Sequence, residues 1–250
     1  MTFCIAMKVK EGLVALADTR ITSGTEHITG KKVTIHQSGN HSLFLMTSGL
    51  RSARDKALTY FQEILDDPAS RFDKLYKAVN AFAEQLRRVA KEDKDALETS
   101  GYHFNLFSIM GGQLSGDSEH KLYLIYPQGN WVEITESTPY SAIGESSYGK
   151  PLLDRALNFE STMELALKVG YLAFEATRSS ATDVDFPIDV VLYHKGSLTM
   201  DEIRYDQKDM VAVSEWWKKR VRETVELCPS EWVKAILEKK KGLRAVEPGA

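Results

Sequence analysis

TFCIAMKVKEGLVALADTR, residues 2–20, holds two apolar runs about a Lys10-Glu11-Gly12 turn. The flanking segments TFCIAMKV and LVALAD read as the arms of a β-hairpin. LVALA is nearly continuous in apolar residues, and so is SLFLMT at 42–47. Strands of that kind are usually covered on both faces. A second hairpin follows: VTIHQ, a turn at Ser38-Gly39-Asn40, then HSLFLMT. It brings His36 and His41 towards each other across the strands as half-exposed histidines, and no metal site is expected there.

Beyond this hairpin the period changes. Ala53, Ala57, Phe61, Ile64 and Leu65 recur at helical spacing, as do Phe72, Leu75, Tyr76, Val79, Ala83, Leu86 and Ala90. Asp66-Asp67-Pro68 divides the two helices, and the charged stretch KEDKDALETSG reads as a loop that ends the pair. Four strands are expected next, at YHFNLFSIM, HKLYLIY, WVEIT and YSAI. Helices at about 150–158 and 161–177 follow, then a strand pair, IDVVLYH and LTMDEIRY. The end is helical: Val213, Trp217, Val221 and Val225 share a face, and PSEWVKAILEKKKG opens on a Ser cap and stops at a Gly. Strands and helices therefore come in blocks. The predicted fold is α+β, a four-layer αββα sandwich. Two stacked, mainly antiparallel sheets are flanked by helix pairs, with residues 2–9 in a central strand. One domain is expected over 1–250, with a helical extension from about 205.

The 250 residues are 43% hydrophobic and 27% charged, a globular composition, and the net charge of −3 gives no general bias towards nucleic acid or lipid. No apolar run reaches the roughly 18–20 residues that span a bilayer. The start lacks the pattern of a signal peptide, so a cytoplasmic protein is expected. Cys4 and Cys228 make no disulfide framework and no metal spacing. Nucleotide-binding glycine motifs are absent, so any ATP-driven unfoldase would be a separate protein. Trp216-Trp217-Lys218-Lys219-Arg220 reads as a helix with Trp217 packed inward, a solvated basic face, and Trp216 as a candidate subunit contact.

Chemistry is expected at Thr2. Initiator Met is generally removed when the next residue is small. A free N-terminal Thr then holds a nucleophile and a base in one residue, its hydroxyl and its α-amine. The amine's reference pKa of about 7.7–8.0 leaves it close to the proton-accepting form near neutrality, and a nearby cation lowers that pKa further. Asp18, ending the second strand, returns beside the start of the first, and Lys32 stands just before the third. Each has an ordinary alternative: a second-position Thr is common, Asp often ends a strand, and Lys31-Lys32 resembles a solvated loop.

GLVALADTR, then KKV, then TSGLRSARD opening a helix, resemble the proteasome β subunits and the bacterial HslV protease, which are N-terminal-nucleophile hydrolases. AIGESSYGKPLLDRAL followed by FPIDVVLY is similar to the Anbu, or ancestral β subunit, branch of that family. The resemblance implies a threonine peptidase acting on peptide or protein, without cofactor, within a homo-oligomeric ring or open helix whose contacts include the helices near 50–90. It matches Thr2 to the nucleophile and base, Lys32 to the cation that tunes the amine, and Asp18 to the carboxylate that orients Lys32. Gly49 matches the oxyanion-hole glycine and Arg20 a supporting residue. Where the family carries Gly-Ser-Gly, this chain has Gly144-Glu145-Ser146-Ser147, so Glu145 takes the direct match and Ser146 is one residue on. Ser180, Asp183 and Asp185 all remain open for the supporting Ser and Asp near the amine. Two other readings keep the fold: an amidase of small molecules, and an assembly scaffold with a weak or silent site.

Overall fold

Strand β1 (Phe3–Val9) and strand β2 (Gly12–Asp18) pair antiparallel, with Cys4 opposite Ala17 and Val9 opposite Gly12. Every residue of both strands is buried, because each face has its own cover. Cys4, Ala6, Leu13, Ala15 and Ala17 point into a core between two sheets, against Val33, Phe44, Met46 and Ile109. Phe3, on the other face of β1, meets Phe174 edge to face, with ring centroids 5.8 Å apart.

A computed structural model describes residues 2–23, 26–39, 41–67 and 71–244, with the backbone alone at 23, 26, 27 and 239–244. The remaining strands are β3 (Arg20–Ser23), β4 (Glu26–Thr29), β5 (Val33–Ser38), β6 (His41–Ser48), β7 (Phe107–Gln113), β8 (Lys121–Ile125), β9 (Trp131–Glu133), β10 (Tyr140–Gly144), β11 (Ile188–His194) and β12 (Met200–Tyr205). The helices are α1 (Arg51–Asp66), α2 (Leu75–Thr99), α3 (Lys150–Ala156), α4 (Met163–Arg178), α5 (Gln207–Glu226) and α6 (Glu231–Arg244). One five-stranded sheet runs β10-β1-β2-β11-β12 and the other β5-β6-β7-β8-β9, and all their pairings are antiparallel.

Two helix pairs close the sandwich. α1 and α2 cover the second sheet through Phe61, Val79, Phe82, Leu86 and Val89, packed with Leu43, Leu45 and Met110. α4 lies on β1 and β2. Its Gly170 admits the close approach: a Cβ there would stand 2.6 Å from Met7 Cε and 2.7 Å from Leu16 Cδ1. The layers are therefore helix, sheet, sheet, helix, with β1 an interior strand of its sheet, between β10 and β2.

Several elements differ from the expectation. α2 continues through the charged stretch to Thr99. Those residues are good helix formers with a solvated face, and charge pairs such as Lys94–Glu98 at 3.8 Å sit one turn apart along it. The strand expected at 102–110 begins only at Phe107 and runs on through Gly111 and Gly112, where Gly111 makes room for the Phe44 ring. The hairpin register puts His36 opposite Leu43 and His41 opposite Ser38, so the two histidines do not face each other. The short β3–β4 ribbon has no apolar run to announce it. α6 passes through Gly242 instead of stopping there. Asn40 and Pro68, each part of an expected turn, lie outside the described residues, as does Met1.

The chain divides into two compact units, Met1–Asp209 and Met210–Ala250. The second holds most of α5 and all of α6. α5 buries no residue: Trp217 is half-buried, Trp216 is exposed, and their rings stack with centroids 6.4 Å apart. Among the described residues no helix is long and apolar enough to cross a membrane.

Candidate active site

Antiparallel pairing alone carries the end of β2 back to the start of β1. Asp18 therefore stands beside Phe3, whose backbone N–H donates to Asp18 Oδ1 at 2.7 Å. The same oxygen accepts from Lys32 Nζ, also at 2.7 Å. Lys32 reaches it from the three-residue link, Gly30 to Lys32, that joins the β3–β4 ribbon to β5. Both side chains are buried, Asp18 completely. Burial pushes the Asp18 carboxyl above its usual range. The Lys32 ammonium opposes this most strongly, helped by the backbone N–H groups of Phe3 and Arg20.

Thr2 is 8% exposed and enters β1 directly. Its carbonyl accepts the Glu145 N–H at 2.6 Å. Gly144, at φ +85°, makes that approach possible, because a Cβ there would lie 1.9 Å from the Thr2 carbonyl oxygen. Gly49 follows β6 at φ +141°, and a Cβ would come within 2.7 Å of the Asn105 carbonyl oxygen. Thr2, Lys32, Gly49, Arg20 and Glu145 all line one cavity of about 530 Å3. A larger cavity, about 840 Å3, lies at the β5–β6 hairpin beside His36 and contains none of them.

Cys4 is buried beside Phe3, and burial pushes its thiol far above the usual range, so it offers no thiolate. Among the described residues no cluster of three or more His, Cys, Asp or Glu could hold a metal ion.

The supporting candidates separate. Arg20 Nη1 donates to Asp185 Oδ2 at 2.9 Å. A hydrogen bond from the Thr22 side chain is the main cause that holds the Asp183 carboxyl below its usual range. Both acids thus fasten β3 to the loop before β11. Ser180 is exposed in the turn after α4, its N–H donating to the Thr177 carbonyl at 3.0 Å. Ser146 lies outside the cavity lining and accepts the Lys150 N–H on its carbonyl at 2.9 Å, at the entry to α3. Glu145 Oε1 accepts from the Ser147 N–H at 3.2 Å. Among the lining residues that the sequence did not single out are two arginines, Arg51 and Arg54, in the first turn of α1. Their signal was available: two arginines three apart, directly after Gly49-Leu50, at a helix start.

A family model described as proteasome subunit matches residues 2–191. Among solved structures, an Anbu (Gly-1) mutant from Hyphomicrobium sp. strain MC1 is 29% identical, covering 92% of this chain and 98% of that one, with a TM-score of 0.83. Anbu (ancestral beta-subunit) from Yersinia bercovieri is 27% identical over 91% and 98%, with a TM-score of 0.83. A structure described as the helical assembly of the Anbu complex from Pseudomonas aeruginosa is 29% identical over 91% and 97%, with a TM-score of 0.86. Comparison with curated proteins gives no match.

Proposed function

The chain belongs to the proteasome subunit family, and we propose that it is a threonine-type amide hydrolase that acts on peptides through Thr2 once Met1 has been removed. One observation carries this reading. A single buried oxygen, Asp18 Oδ1, holds both the Phe3 N–H, one residue from Thr2, and the ammonium of Lys32, which lines the same cavity as Thr2.

In this mechanism the Thr2 hydroxyl oxygen bonds to the substrate carbonyl carbon while its proton passes to the Thr2 α-amine. Lys32 keeps that amine neutral by repelling a second positive charge, and Asp18 keeps Lys32 in place. The carbonyl oxygen takes the negative charge and meets the Gly49 N–H. The C–N bond then breaks, the departing amine takes the proton from the α-amine, and an ester on Thr2 remains. Water, deprotonated by the same amine, cleaves that ester and restores the hydroxyl. Glu145 departs from the family's serine, and its carboxylate would raise the amine pKa, opposing Lys32.

We also read the protein as self-assembling. The relative from Pseudomonas aeruginosa is described as a helical assembly. α5, α6 and the link between them leave Trp216, Val221, Val225, Leu227, Trp232 and Ile236 exposed, and exposed apolar patches mark interaction surfaces.

The test compares turnover of one peptide by three proteins: mature, Met1-retained and Thr2→Ala. Thr2→Ala removes the hydroxyl, and a retained Met1 converts the base into a peptide N–H. Either should lower the rate at least about 10²-fold, as expected for loss of a general base. Thr2→Ser should keep measurable activity. Equal rates in the first three proteins would place the chemistry elsewhere.

A further inference from the structure

The charge in the cavity wall is unevenly met. Among its described lining residues Arg20, Lys32, Arg51 and Arg54 are basic, and Glu145 alone is acidic. Two of these cations have a carboxylate each: Lys32 has Asp18 at 2.7 Å and Arg20 has Asp185 at 2.9 Å. The other two share one. Arg54 Nε and Nη2 donate to Asp55 Oδ1 at 2.9 and 2.7 Å, and Arg51 Nε reaches Asp55 Oδ2 at only 3.4 Å. Each guanidinium has five donors, so a single carboxylate leaves most of them unused.

The position of these arginines sharpens the imbalance. The first turn of a helix carries a partial positive charge and favours acids. α1 has no side-chain cap and no acidic residue there, and instead starts with Arg51. Arg54 is held in place, with its side chain 14% exposed, whereas Arg51 is 57% exposed and can adjust. Glu145, whose carboxylate receives the Ser147 N–H at the β10 end of the cavity, is a single acid against four cations.

We propose that the Arg51–Arg54 wall selects a peptide carboxylate, the side chain of an acidic residue at the bond presented to Thr2. The proposal rests on Thr2 as the reacting group. A carboxylate accepts two parallel N–H bonds from a guanidinium, a geometry that an amide of the same size cannot match and that lysine would not supply. Arg54 sets the direction of the contact and Arg51 closes on it from the solvent side. Both act on specificity without touching the scissile bond.

Binding to the Thr2→Ala protein tests this without turnover. Fluorescein-labelled peptide amides that differ only in a terminal Glu or Gln are titrated by anisotropy. The Glu peptide should bind about tenfold tighter, or about 1.4 kcal/mol. The preference should shrink with added salt and disappear in Arg54→Ala. Arg51→Ala, at an exposed position, provides a second variant that should fold in any case, and it should reduce the preference in part. The Gln peptide as a free acid separates the two possible carboxylates: equal tightening of that peptide would assign the wall to a chain end and overturn the side-chain proposal. Equal binding of all three peptides overturns the carboxylate itself. A Glu preference in a protein whose mature form cleaves nothing would refute Thr2 as nucleophile and leave this wall standing.

Discussion

Lys32→Met separates what the buried pair does for the fold from what it does for chemistry. At 2.7 Å the gross attraction between Lys32 and Asp18 is about 6 kcal/mol at an effective dielectric of about 20. Desolvation of both groups offsets much of that. Removing only the lysine leaves a buried carboxylate without its counter-charge, which typically costs about 3–5 kcal/mol. Asp18 escapes part of the cost by taking up a proton. Burial already holds its carboxyl above the usual range, and without Lys32 it rises further. The folded variant then binds a proton that the unfolded chain, at a carboxylate pKa of about 3.9, has released. Its stability is therefore full below that value and is lost as pH rises through the folded pKa. Asp18→Asn with Lys32→Met removes both charges and keeps an oxygen for the Phe3 N–H. The double variant should return to within about 1–2 kcal/mol of wild type. Activity should behave differently. Both variants lack the cation proposed to lower the α-amine pKa, so both should lose peptide turnover, although only one is unstable. Urea unfolding at pH 5 and pH 8, at one protein concentration, measures the first effect, and turnover measures the second. A single variant within 1 kcal/mol of wild type at pH 8 (roughly the scale of an exposed pair), or a double variant whose loss is the sum of the singles, would refute the reasoning.

Gly144→Ala should displace Thr2, because its Cβ would overlap the Thr2 carbonyl at 1.9 Å and its φ of +85° disfavours any side chain; thermal unfolding and peptide turnover should both fall. Phe82→Ala should cost about 3–5 kcal/mol, measured by denaturant unfolding, since Phe82 is fully buried and meets Phe61 edge to face at 5.3 Å. His120 is buried, with Nε2 2.9 Å from the Val9 carbonyl, and burial lowers its pKa to about 4. The unfolded chain then takes a proton at about pH 6.5 that the fold refuses until about pH 4. Stability should fall across that window on acidification, by of order 2–3 kcal/mol in full, and His120→Gln should flatten the slope in urea melts taken from pH 7 to pH 4.5.

Much of the architecture was legible from local pattern. β1 and β2 carry apolar residues on both faces, which requires two covers, and the antiparallel hairpin by itself returns Asp18 to Phe3. Period changes at residues 51 and 150 mark the two helix pairs, because an amphipathic helix needs a sheet face to bury its stripe. Where local chemistry was ambiguous, tertiary context decided. KEDKDALET has the charge of a loop and the propensity of a helix, and it became helix as the continuation of α2, itself anchored by Phe82, Leu86 and Val89. His36 and His41 needed the hairpin register, which a sequence does not print. Asp183 and Asp185 could not be told apart by spacing; in the structure a ribbon with no apolar signature brings Thr22 to Asp183 and the Arg20 ion pair to Asp185. Arg51 and Arg54 open a helix in the sequence, and only the fold places them in one cavity lining with Gly49 and Asn105. Periodicity reports which face of an element is buried, which is a property of consecutive residues. Which two side chains meet across 165 positions, as Arg20 and Asp185 do, depends on the packing of whole layers.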